Sequence, residues 1–226
     1  MVQATLMKFV ERLPHRKVSE ALERTYGLQV TPATVLDVTR RVAWWFRPEY
    51  TRILGRIRSA EVVYVDETGA RVDGRRIWIW AFTSLTDTLI VVRKSRGKRV
   101  LKEVLGKDFK GVIVCDGWKS CPNFTDRIQR CWAHLLREAS GLAEHVDEAK
   151  PLSEALHRLY RRLCESPEGK PPPEEVVRLA GEVRKVVVDL AGRPYEAEEA
   201  LRFTCKVLNG LDHWFTPHGA GCGAYE

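Results

Sequence analysis

Residues 61–82 read EVVYVDETGARVDGRRIWIWAF, and this stretch decides the fold. Val62-Val63-Tyr64-Val65 is an unbroken β-branched and aromatic run, the pattern of a strand covered on both faces. Asp66 follows at once. Asp73-Gly74 is a strong hairpin signal, and Arg76 to Phe82 reads as the returning strand. Leu85 to Asp87 turns the chain again and Thr88 to Val92 forms a third strand. The period then changes. Val100, Leu101, Val104 and Leu105 share one side of a helix that Gly106 closes. Gly111 to Cys115 is a fourth strand, also followed by an aspartate, Asp116, and Ile128 to Arg130 is a fifth.

This order constrains topology. Two antiparallel turns make the third strand parallel to the first, and the helical crossover brings the fourth back parallel as well. A crossover passing over the hairpin lands the fourth strand beside the first. Asp66 and Asp116 then sit at the carboxyl ends of adjacent parallel strands, the edge where open α/β sheets place their chemistry. Two carboxylates there suit magnesium, which takes hard oxygen ligands and leaves positions for phosphate and water. A strand-end aspartate is also a common turn residue, so the pair alone leaves both readings open. Glu67, the neighbour of Asp66 on an extended chain, is expected on the opposite face.

Upstream, residues 5–26 and 31–46 read as helices separated by a turn containing Gly27. Thr31-Pro32 starts the second with a capping hydroxyl and a proline at the first helical position. Val35, Val38 and Val42 form its apolar stripe, which leaves Thr34, Asp37, Arg40 and Arg41 outward. This is a helix-turn-helix outline, and two packed helices of any bundle share it. Downstream, helices are expected over about 133–147, 151–165, 173–192 and 195–212, with a break at Glu168 to Pro173.

The 226 residues carry a net charge of +7 at 44% hydrophobic and 30% charged, enough apolar content for a core. No apolar run approaches the ~20 residues of a membrane helix. The first twenty residues mix Lys8, Glu11, Arg12, Arg16 and Lys17 with apolar ones, unlike a signal peptide, so a cytoplasmic location is expected. Charge is uneven. Residues 1–60 hold 11 basic and 5 acidic residues, residues 61–137 hold 15 and 9, and residues 138–226 hold 11 and 16. A basic first part and acidic last part point to a polyanion partner for the first part. Arg93 to Arg99 packs five cations into seven residues, either a DNA-backbone patch with Lys94, Arg96 and Lys98 or a solvated loop. Trp78 and Trp80 share one strand face and read as core, whereas Trp118, just past Asp116, is placed near DNA. The six cysteines form no Cys-x-x-Cys pair and are expected as free, mostly buried thiols.

The stretches VDETGARVDGRRIWIWAF, DFKGVIVCDGWKS and QRCWAHLLRE together resemble the central domain of DDE transposases, nearest the insertion sequence sixty-six family. The motifs cover roughly residues 61–138, in the family's order. The resemblance implies a ribonuclease-H-like α/β fold with a mixed sheet and a helical insertion. It also implies magnesium- or manganese-dependent cutting at transposon ends, and joining of the freed 3′-hydroxyl to target DNA. Asp66 matches the first catalytic aspartate and Asp116 the second. Cys131-Trp132-Ala133-His134 resembles the family's Cys-x-x-His element, which puts His134 and Arg137 one helical turn apart near the site. The family's third carboxylate is a Glu in an Asn-Asn-x-Ala-Glu motif. This chain approaches it through Ala200 to Phe203 and Leu211 to Thr216, then runs into a Gly-rich tail with no Asn-Asn. The expected organisation is thus a DNA-binding helical region at 1–58, a catalytic core at 59–138, a helical insertion at 139–216 and an aberrant tail at 217–226. The expected partner is DNA, with self-association open and neither a membrane nor a small-molecule cofactor. Two functions stand: a transposase impaired by loss of its third Glu through truncation, or a non-catalytic fragment that occupies transposon ends.

Overall fold

The computed structural model describes residues 1–116, 120–165 and 172–210 and divides into two units, Met1–Gly55 and Arg56–Glu226. In the first, α1 (Val2–Phe9), α2 (His15–Tyr26) and α3 (Pro32–Trp45) close on a small core of Ala4, Met7, Val18, Ala21, Leu22 and Val35. α3 starts as its sequence dictates. Thr31 Oγ1 accepts the Thr34 amide at 3.1 Å, and Pro32 follows at the first helical position, where its missing N–H leaves no bond unmade. Gly27 ends α2 at φ 64°, a conformation that a Cβ disfavours. The single helix expected over 5–26 is instead two. Pro14 lacks an N–H and its ring would clash with the preceding turn, and Arg12 turns left-handed at φ 58°. α4 (Arg47–Ser59) leads into the second unit.

The second unit is a mixed α/β fold built on a five-stranded sheet in the order β3-β2-β1-β4-β5. The strands are β1 (Val62–Val72), β2 (Arg75–Thr83), β3 (Thr88–Arg93), β4 (Val112–Cys115) and β5 (Ile128–Arg130), with α5 (Lys98–Leu105) between β3 and β4. β1, β2 and β3 pair antiparallel, and β4 lies parallel to both β1 and β5. The fourth strand therefore falls beside the first, as the connection rules predict. Alternation sets one buried face: Val63 and Val65 on β1, Trp80 and Phe82 on β2, Leu89 and Val91 on β3. Val100, Leu101, Val104 and Leu105 of α5 are buried too. The last carbonyls of α5, which no helical N–H can reach, take bonds from the Arg58 guanidinium: Nε to Val104 at 2.7 Å and Nη2 to Glu103 at 2.9 Å. β4 enters through Gly111, where a Cβ would stand 2.5 Å from the Ala60 carbonyl oxygen, so only glycine lets the two strands start so close.

The remaining helices are α6 (Trp132–Ala143), α7 (Lys150–Cys164), α8 (Pro173–Ala191) and α9 (Glu198–Gly210), with a short 3-10 turn at Asp147–Ala149 before α7. They share a second core of Trp132, Leu135, Leu152, Leu156, Leu159, Leu163, Leu179, Val187, Phe203 and Val207, among others. The residues expected to break the helices at 168–171 lie outside the described residues, as does the tail from 211 on. Cys115, Cys121, Cys131 and Cys205 are free thiols, but Cys164 is disulfide-bonded, which corrects the expectation of free thiols throughout. No helix among the described residues is long and apolar enough to cross a membrane.

Candidate functional site

β1 and β4 run parallel with Val62 opposite Val112 and Tyr64 opposite Val114. One further two-residue step along each strand brings Asp66 level with Asp116, on the same face of the sheet. Both aspartates line a small cleft of about 40 Å³, with Tyr64, Thr83, Cys131 and His134 among the other walls. That volume admits a water or one small ion. Asp66 is exposed and its Oδ1 accepts the Glu67 amide at 2.9 Å, while Asp116 is half-buried. The expectation that Asp66 ends its strand is corrected in one respect: β1 runs on through Val72 as a partner of β2. Asp66 stands where β4 stops accompanying β1, so the site is an edge of the parallel pair and not of the whole sheet.

α6 supplies the third wall. Cys131 precedes its first residue, its amide bonded to the Cys115 carbonyl at 2.8 Å, which ties the start of α6 to the end of β4. His134 follows one turn in and faces the cleft. Its Nδ1 is buried and has no hydrogen-bond partner among the described residues. Arg137, one turn further, is exposed and lies outside the residues that line the cleft. Behind β4, hydrogen bonding to Cys115 and burial push the Cys121 thiol well up, and the charges of Glu67 and Asp116 act in the same direction, so it stays protonated at neutral pH.

Glu67 takes the opposite face, as alternation requires, and its side chain is 5% exposed. Arg96 reaches it, Nε to Oε1 at 2.7 Å, and the same guanidinium lies 4.6 Å from the Trp78 ring centroid. Burial raises the Glu67 carboxyl above its ordinary value. Arg96 opposes that, and the charges of Asp116 and Asp66 add to it. The Arg96 carbonyl accepts Ser120 Oγ at 2.9 Å, and the Ser95 carbonyl accepts Trp80 Nε1 at 3.1 Å. The loop after β3 is thereby pinned between β1, β2 and the segment that follows Asp116.

Other sequence-derived candidates scatter. Lys94 and Lys98 are exposed, while Arg96 is turned inward onto Glu67 and Trp78. Its buried role has no sequence signal beyond an acidic neighbour of Asp66, because only the tertiary fold brings positions 67, 78 and 96 together. Thr34, Arg40 and Arg41 are exposed on α3, with Thr34 Oγ1 2.9 Å from Thr31 Oγ1 and Arg40 3.7 Å from Asp37. Trp118 lies outside the described residues.

Asp66 and Asp116 are hard oxygen donors on one face beside an unpaired imidazole nitrogen, a donor set that fits a magnesium-type cation completed by phosphate and water. Among the described residues no cluster of three His, Cys, Asp or Glu side chains assembles to hold a metal by protein ligands alone.

Comparison with known proteins shows the family of the chain. The family described as Transposase IS66 family matches residues 1–204. The uncharacterized protein y4jD of Sinorhizobium fredii (strain NBRC 101917 / NGR234) is 27% identical over 214 residues, which cover 86% of this chain and 38% of y4jD. The chain thus spans less than two fifths of that relative's length. The family match extends over all five strands, both aspartates, the Cys-x-x-His element and the start of α9, and so the chain belongs to the IS66 transposase family.

Proposed function

We propose that the chain carries the DNA-cleaving and strand-joining site of a DDE-type transposase, in a ribonuclease-H-like core preceded by a helix-turn-helix that contacts DNA. The observation that carries this reading is the placement of Asp66 and Asp116 side by side on adjacent parallel strands, facing one cleft with His134. The two carboxylates would hold a divalent cation, magnesium or manganese, against a DNA phosphate. When bound, such a cation polarises the phosphoryl oxygen and lowers the pKa of an attacking water or hydroxyl. His134 lines the cleft and would support the phosphate from its wall. Arg137, exposed one turn on, is available to a neighbouring phosphate. Thr34, Arg40 and Arg41, exposed on α3, would meet the duplex.

The test is nicking of DNA bearing the element's ends with magnesium or manganese. D66N and D116N should each lower the rate at least about 100-fold, since each removes several kcal/mol of charge stabilisation. Nicking at an unchanged rate in both variants would overturn the reading. A second reading is favoured by the donor set, because no third carboxylate joins the two aspartates among the described residues. On that reading the chain occupies transposon ends without cutting, and gel-shift binding with no nicking by the unmodified chain distinguishes it.

A further inference from the structure

We propose that the β1–β2 ribbon beyond Asp66 is a DNA-backbone grip that flanks the two-aspartate cleft, a surface that rests on the transposase reading above. β4 accompanies β1 only from Val62 to Tyr64, and β3 accompanies β2 only as far as Trp78 opposite Arg93. Past those points Ala70 with Ile77, Arg71 with Arg76 and Val72 with Arg75 form a two-stranded ribbon on their own. It is rooted on the strand that carries Asp66, and the stretch from Asp66 to Val72 reaches roughly 20 Å at the usual strand rise. Asp73 and Gly74 at the tip both have positive φ, 49° and 74°, the paired left-handed turn that matches strand twist and makes a tight, stiff end.

The root is braced. The Trp78 ring lies over Gly69 at ordinary contact distance, 3.6 Å from where a Cβ would stand. Arg96 covers that ring at 4.6 Å and is itself fixed to Glu67, and Arg76 approaches the same ring at 5.8 Å. The end of the ribbon carries three arginines against one carboxylate, Asp73. Arg71, Arg75 and Arg76 are exposed and none pairs with a carboxylate among the described residues, although Asp73 sits between them in sequence. Among the described residues Arg71 donates only to the Gly74 carbonyl, at 3.4 Å. Charges that merely protect a ribbon edge from pairing can be of either sign. Three unneutralised guanidiniums on a stiff arm beside a metal edge instead match phosphates flanking the bond to be cut. Lys94, next to the residue that pairs with Trp78, extends the positive surface back to the root.

The experiment measures binding of the full chain to a short duplex of arbitrary sequence across a salt series. Arg71→Ala/Arg75→Ala/Arg76→Ala should weaken binding on the order of 100-fold at low salt and lower the slope of log affinity against log salt by roughly 2–3 units, about 0.9 for each phosphate no longer neutralised. The matching triple lysine variant should keep both. A photo-crosslinker on R75C should label the duplex, which keeps the proposal open to refutation should the triple alanine variant fail to fold. A folded triple alanine variant with the wild-type slope, or an R75C probe that leaves DNA unlabelled while the chain binds it, would overturn the grip and leave the transposase reading standing. A wild-type chain with no salt-dependent DNA binding would overturn both.

Discussion

Several cations of the helical block pair with neighbouring carboxylates, whereas those at the end of the ribbon and around the loop after β3, Arg96 excepted, stand in no ion pair among the described residues. In the block Arg162 pairs with Glu182, Arg178 with Glu175 and Glu182, Arg193 with Asp189 at 2.5 Å, Arg202 with Glu198 at 2.5 Å, and Lys206 with Glu138 at 2.6 Å. Arg71, Arg75, Arg76, Lys94, Lys98 and Arg99 are exposed and in no ion pair among the described residues. The two regions are thus separated by more than their net charge. A polyanion recruits cations whose field is not already cancelled at contact distance. Exposed pairs such as those of the block contribute only ~0–1 kcal/mol each to stability. Their main consequence is to neutralise one another's charge.

The largest effect that would break this contrast lies at the sheet edge. D66N should cut metal-dependent nicking at least about 100-fold while leaving duplex affinity within a few-fold, because charge stabilisation at the reacting phosphate is lost and the grip is not. Arg178→Ala in the block should change neither, since its charge is already cancelled by two carboxylates. Equal losses in the two variants would show that the block also carries DNA.

Stability should divide the same way. Trp80 is fully buried and stacks on Phe82 with ring centroids 6.1 Å apart. Trp80→Ala should destabilise the sheet by about 3–5 kcal/mol in a urea titration. Arg96→Met should cost about 3 kcal/mol, because it leaves Glu67 buried without its partner. Arg178→Ala should stay within roughly 0.5 kcal/mol. A loss from R96M no larger than from Arg178→Ala would place Arg96 with the solvated cations after all.

How far these features were legible in the sequence follows the range of the forces involved. The strands, the Asp73-Gly74 turn and the Thr31-Pro32 helix start rest on local chemistry, and they stand where the residues put them. The order β3-β2-β1-β4-β5 rests on connection rules, and it brings Asp66 and Asp116 together. Proline should have marked the split of the first helical region, but the periodicity of Val18, Ala21 and Leu22 does not register the break at Arg12 to Pro14. The length of β1 past Asp66 was hidden because Thr68 to Val72 lacks an apolar run, and pairing with β2 supplies the stability that composition does not. The inward turn of Arg96 was hidden for a different reason. Its partners Glu67 and Trp78 stand 29 and 18 positions away, and a cluster of cations in sequence gives no hint which one the fold will bury.

The smallest expected effect tests whether carboxylates of the block act locally as assigned. Glu148 accepts the amides of Glu196 and Ala197 at 3.0 and 2.9 Å, just ahead of α9, where helix N–H groups lack partners of their own. Those two bonds hold its carboxyl below the ordinary glutamate value. A depressed folded-state pKa stabilises the fold above the unfolded-state value, and that stabilisation is lost as pH falls through the folded-state value. Glu148→Gln keeps an acceptor oxygen but no titrating charge. It should therefore be slightly less stable than the wild type at neutral pH, with the gap closing on acidification below the usual glutamate range. Urea midpoints measured from neutral to acid pH check this. A gap that stays constant or widens toward acid would mean that the carboxylate charge contributes nothing to the start of α9, and that the block's acidic surplus is solvated surface there as well.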